Sequence, residues 1–165
     1  VRIVSERSRH PQLGLPGSYA LGAITDDIGV IDDIILRHSG SQFLVDWEAS
    51  VGYNEVRLSR LLQDRSPDPV QLRVLIAQAN YYNFDFEDEQ RFQSYALKVE
   101  DDSEPRCFAF VERASATGEQ LSELFQQNSN RTIAATLMVR FPHGKDAVGE
   151  ITRILAPHWC FPAES

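Results

Sequence analysis

The sequence predicts a single α+β domain over residues 1–165, with a mixed or mainly antiparallel sheet covered by about five helices. Three observations predict it. Segments with a two-residue apolar period are interspersed with segments whose apolar residues recur at helical spacing. No stretch is long and polar enough to separate two domains, and no internal repeat is visible. A chain of 165 residues with 42% hydrophobic and 24% charged residues is what one ordinary hydrophobic core requires.

Residues 1–5 alternate weakly and read as a strand, after which Pro11, Gly14, Pro16 and Gly17 mark an irregular connection. Thr25 is placed to cap a helix whose first turn carries Asp26 and Asp27, with Ile28, Ile31, Ile35 and His38 on one face and Gly40 at its end. The isoleucine content supports a rival strand from Val30 to Arg37 that turns at Ser39-Gly40. Residues 42–48 alternate Phe43, Val45 and Trp47 against Leu44, Asp46 and Glu48, the period of a half-buried strand. A short helix from Asn54 carries Val56, Leu58, Leu61 and Leu62 into the Ser66-Pro67-Asp68-Pro69 break. Asp68 as cap, Pro69 in the first turn and the stripe Leu72, Leu75, Ile76, Ala79 then predict a second helix.

Residues 93–100 and 106–113 read as two strands of a hairpin around the turn formers at 101–105. Thr117 with Gln120 forms a capping box for a helix that turns Leu121, Leu124 and Phe125 inward. Residues 132–141 are β-branched and apolar enough for a central strand. Val148, Ile151 and Leu155 predict a last helix over 145–155, stopped by Pro157.

Composition narrows the function. With 24 acidic against 16 basic residues the net charge is −8, which opposes binding to nucleic acid or anionic lipid and leaves room for a basic protein partner. No apolar run approaches the roughly 20 residues of a membrane span, and the charged opening residues lack a secretory leader's apolar run, so the sequence reading is cytoplasmic. Cys107 and Cys160 are too few and too far apart for a disulfide framework or zinc knuckle. Cys107, alternating with Phe108 and Phe110, reads as a buried thiol; a bridge to Cys160 is left open.

Asp26-Asp27 and Asp32-Asp33 cluster carboxylates, but helical spacing keeps the four from converging on a cation. His10, His38, His143 and His158 stand in no metal-ligand spacing, and a Cys and His nucleophile would require a meeting in space that the sequence does not specify. Dinucleotide, P-loop and nucleophile-elbow motifs are lacking, and Asn130-Arg131-Thr132 is a chance glycosylation match in a cytoplasmic chain.

The segment Tyr81, Tyr82, Asn83, Phe84, Asp85, Phe86, Glu87, Asp88, Glu89 joins aromatic rings to carboxylates without the spacing of a calcium loop. Rings supply buried area and acids choose the partner's charge, so Tyr81, Tyr82, Phe84, Asp85, Phe86, Glu87 and Asp88 are the candidate partner-binding residues, with Trp47 or Trp159 as neighbours. The reading is a non-enzymatic interaction module of inhibitor, immunity or adaptor type, with no cofactor or metal and with homo-oligomerisation left open. The alternative is a small enzyme in which residues 113–118, between a strand and a helix, receive coenzyme A or another phosphate-bearing ligand at the turn before Thr117. Its strand order is loosely similar to that of the acetyltransferases, whose glycine-rich signature it lacks.

Overall fold

The computed structural model describes residues 2–3, 19–25, 30–39, 41–65, 67–101, 103, 106–128, 131–142 and 148–160. Two β units make up the fold. Strands β1 (Arg2–Ile3), β2 (Tyr19–Thr25), β3 (Val30–Ser39) and β4 (Gln42–Val45) form an antiparallel sheet in that spatial order. Helices α1 (Trp47–Ser50) and α2 (Leu58–Asp64) lead from it into a closed five-stranded barrel. The barrel strands are β5 (Val70–Ala79), β6 (Phe92–Lys98), β7 (Cys107–Glu112), β8 (Thr132–Arg140) and β9 (Val148–Ala156), with helix α3 (Ala116–Gln127) between β7 and β8. Around the barrel they run β5-β6-β7-β9-β8, all neighbours antiparallel except β7 with β9. This order, with a helix between the third and fourth strands, is the connectivity of an OB-type barrel.

The barrel interior follows from strand alternation. Leu72, Val74 and Ile76 of β5, Tyr95 and Leu97 of β6, Cys107, Ala109 and Val111 of β7, and Ile133, Ala135, Leu137 and Val139 of β8 form one buried cluster. Gly149 on β9 lets the wall close, because a Cβ there would lie 2.8 Å from Cγ1 of Val139. Leu121 of α3 is buried in the same cluster, and Phe125 stacks on Tyr95 with ring centroids 5.5 Å apart. Leu58 and Leu61 of α2 also enter this cluster.

A second cluster clads the outside of β5 and β8. Ile35 of β3, Ala49 of α1, and Trp159 and Cys160 beyond β9 pack on Ala134, with Leu75 at the margin. Arg73, only 4% exposed, ties these pieces together. Its Nε donates to the Trp159 carbonyl at 3.1 Å, Nη1 to the Tyr53 carbonyl at 2.7 Å and Nη2 to Oε2 of Glu48 at 2.8 Å. Each guanidinium nitrogen thus meets an oxygen, which is what permits burial of an arginine.

The architecture corrects the α+β expectation. The molecule is mostly strands, and the described residues hold three α-helices, not a sheet covered by about five. Three predicted helices are strands. The helix expected over 69–79 is β5, whose two faces are both covered: Leu72, Val74 and Ile76 lie inside, Arg73 and Leu75 under the second cluster. A strand buried on both faces loses its two-residue alternation and imitates a helical stripe. The helix expected from Asp26 is β3, the rival reading, with Ile34, Ile35 and Leu36 all buried. The helix expected over 145–155 is β9, and register shifts in its pairing with β8 break the alternation that would have revealed it.

Other expectations hold in part. β6, β7 and β8 match the strands read at 93–100, 106–113 and 132–141, and α3 turns Leu121 inward. Its cap is Ser115, whose Oγ accepts from the Gly118 N–H at 3.1 Å, while Thr117 donates to the Thr152 carbonyl on β9. β4 stops at Val45 because Asp46 caps α1 through the Ala49 N–H, so Trp47 opens a helix. All four β4 residues are exposed, against the half-buried strand expected. Asp26, Asp27, His10, His143 and Asn130 lie outside the described residues, as do the side chains of Asp32, Asp33, His38 and Phe84.

Candidate binding surface

The acidic and aromatic segment is the connection between β5 and β6, and it lies as a strap against the outer face of β7. Odd-numbered residues of β7 face the barrel core, so Phe108 and Phe110 point outward. Tyr81 stacks on Phe108 with centroids 4.2 Å apart and planes 19° from parallel. Phe86 stacks on Phe110 at 4.4 Å and 1°, and meets Phe92 edge-on at 5.1 Å. Tyr82 tilts toward Phe110 at 6.2 Å. Offset-stacked and edge-to-face pairs add about 0.5–1.5 kcal/mol each beyond their buried area, so the rings anchor the strap.

Polar contacts fix its ends. Arg113 donates from Nε to the carbonyls of Glu89 and Phe92, both at 2.9 Å, and from Nη2 to the Tyr82 hydroxyl at 3.5 Å. Oδ1 of Asp88 accepts from the N–H groups of Gln90 and Arg91, closing the turn into β6. Arg91 pairs with Glu112 at 2.9 Å and lies over the Phe92 ring. The Phe86 N–H donates to the Asn83 carbonyl at 2.8 Å within the short 3-10 turn Phe84–Phe86.

The predicted residues therefore divide by role. Tyr82 and Phe86 are half-buried and face the barrel, Tyr81 is exposed at its edge, and Asp85, Glu87, Asp88 and Glu89 are exposed. Trp159 belongs to the second cluster over β5 and β8, and Trp47, at the start of α1, lies tilted at 51° against Tyr53 with centroids 5.0 Å apart. The sequence did not connect the seats of the strap, Phe108 and Phe110, or its fastener Arg113 with this surface. Their signal is a strand apolar on both faces, which requires something to cover the outer one. Ser94, opposite Phe110 in the ladder, is fully buried and its Oγ has no partner among the described residues.

The turn before Thr117 borders a cleft of about 410 Å³ lined by Arg113, Gly118, Glu119, Ser122, Glu123 and Gln126 among others. The Gly118 N–H is taken by Ser115 Oγ and the Glu119 N–H by the Ser115 carbonyl. Two carboxylates in the lining oppose a phosphate.

Both cysteines are free and buried, and burial pushes each thiol up to about 12, so neither is a thiolate near neutrality. Cys107 sits inside the barrel and Cys160 outside it, which leaves the bridge unformed. His158 is buried with its Nδ1 unpartnered among the described residues, and desolvation lowers its pKa below the ordinary 6.5, outweighing a smaller raising influence of the Cys160 backbone. The unfolded chain takes up this proton below about pH 6.5 while the folded chain does not. The stability from a neutral His158 is therefore complete above that pH and declines as pH falls through it toward the lower folded value. Urea midpoints at pH 7.5 and 5.5 should fall further for the wild type than for His158→Gln; equal drops would remove His158 as the source.

Among the described residues no group of three or more His, Cys, Asp or Glu is placed to hold a metal, and no helix is long and apolar enough to cross a membrane. No family model, curated protein or solved structure matches this chain.

Proposed function

We propose that this protein is a non-enzymatic interaction module that recognises a basic protein partner through the acidic outer side of the strap. The observation that carries the reading is the division of the strap. Tyr81, Tyr82 and Phe86 pack on Phe108 and Phe110, and the strap's four carboxylates Asp85, Glu87, Asp88 and Glu89 stand in solvent. Charges held on a rigid frame lose little entropy on binding, and a net charge of −8 steers a cationic partner toward them.

The rings act by placing the acids, so the two halves of the strap respond differently to substitution. Asp85→Asn, Glu87→Gln and Glu89→Gln together should change stability by less than about 0.5 kcal/mol, since all three are exposed. The same triple variant should lose capture of a lysine- and arginine-rich polypeptide, and wild-type capture should weaken steeply with salt. Phe86→Ala should cost about 2–3 kcal/mol of stability, because it empties the seat over Phe110. Capture that survives both neutralisation and high salt would refute the reading.

A further inference from the structure

The sheet of β1 to β4 ends on a short edge strand of four residues that is otherwise unguarded. β4 is the last strand in its order, and its residues Gln42, Phe43, Leu44 and Val45 include no charge, no proline and no bulge. Edge strands that remain solitary are normally guarded by such devices or covered. Phe43, Leu44, Val45, Trp47, Val51 and Tyr53 are each 41–55% exposed, six large apolar side chains within 11 residues.

We infer that β4 pairs with β4 of a second copy of this chain, antiparallel about a two-fold axis at Leu44. The backbone supports that axis. The Asp46 N–H donates to the Ile35 carbonyl at 2.8 Å, so by strand alternation Leu44 also turns its backbone toward β3 and Val45 turns outward. A two-fold at Leu44 sets Val45 of each copy opposite Phe43 of the other, an aromatic and β-branched pair of the favoured cross-strand kind. The two sheets then continue as one eight-stranded sheet.

Area and charge both select a second copy as the occupant. Aromatic side chains present roughly 150–250 Å² each, so three rings about half exposed offer about 300 Å², and the three aliphatic residues bring the patch to about 500 Å². Two such patches bury up to about 1,000 Å², the lower bound for a biological interface, which fits a dimer that dissociates on dilution. An uncharged strand meets its own copy without placing like charges opposite one another, although each chain carries −8. Screening that long-range repulsion strengthens self-association, so added salt acts here in the opposite direction to its effect on the acidic strap.

Sedimentation equilibrium over a range of concentration and salt tests the assignment. The wild type should form a dimer that dissociates on dilution and tightens with salt. Leu44→Lys and Leu44→Glu each place two like charges across the axis and should weaken the dimer about tenfold or more. An equimolar mixture of the two variants should dimerise again, which also shows that both are folded. A wild type monomeric at every concentration, a dimer unaffected by either variant, or a mixture that stays monomeric would each overturn the assignment. Failure of the strap to bind cations leaves this result untouched.

Discussion

Replacing Trp159 with alanine is expected to destabilise the protein by about 4 kcal/mol, the largest effect of any single truncation considered. The indole is fully buried in the cluster that joins β3 and α1 to the barrel. Its Nε1 donates to the Val74 carbonyl at 3.0 Å, and Val74 lies just beyond the β5–β6 ladder, which runs from Leu75 to Ala79. Truncation therefore leaves a cavity and removes the carbonyl's indole partner together. At about 2–4 °C per kcal/mol for a chain of this size, the melting temperature should fall by about 8–16 °C. Trp159→Phe keeps most of the ring area and should lose only about 1–2 kcal/mol, chiefly the hydrogen bond. Hydrogen exchange should quicken in β3 before it does in β6 and β7, since Trp159 holds the outer cluster and not the barrel interior. A melting curve for Trp159→Ala that matches the wild type would show that the segment after β9 is not part of the core.

Gly118→Ala comes next, with an expected cost of about 3 kcal/mol. A Cβ at this position would lie 2.3 Å from the carbonyl oxygen of Glu112 and 2.8 Å from that of Arg113. Both obstacles are backbone at the end of β7, so no side chain can swing aside, and α3 must move away from the barrel. Elsewhere in a helix the same change would be stabilising by about 1 kcal/mol, because alanine is the better helix former. The sign of the measured change therefore reports the close approach directly. Displacing α3 should also loosen the contact of Phe125 with Tyr95, readable as altered near-ultraviolet circular dichroism.

How legible this molecule was depends on what covers each segment. Residues 93–100 and 106–113 sit next to each other in chain and space, and their turn formers announced the hairpin. The stripe Leu121, Leu124, Phe125 belongs to a helix with one face on the barrel and the other in water, the condition under which a helical period is trustworthy. β5 meets neither condition. Its inner face fills the barrel and its outer face carries Arg73 and Leu75 under the second cluster, so its pattern depends on residues 35, 49 and 159 that are remote in sequence. The strap was recognised as a unit of rings and acids, but its internal division was not. Only the pairing of Phe108 with Tyr81 and of Phe110 with Phe86 shows which half faces inward.

By itself the sequence determined an apolar content sufficient for a buried core, a strongly acidic composition, the β6–β7 hairpin, β8, α3 and the acidic and aromatic segment, because each rests on local period, turn chemistry or composition. Tertiary structure alone decided that β3, β5 and β9 are strands, that five strands close into a barrel, and that Tyr81, Tyr82 and Phe86 pack on β7 while Asp85, Glu87, Asp88 and Glu89 are exposed. The physical reason is common to these cases. A residue's period reports which of its faces is covered, and when both are covered by distant parts of the chain the local pattern no longer distinguishes strand from helix.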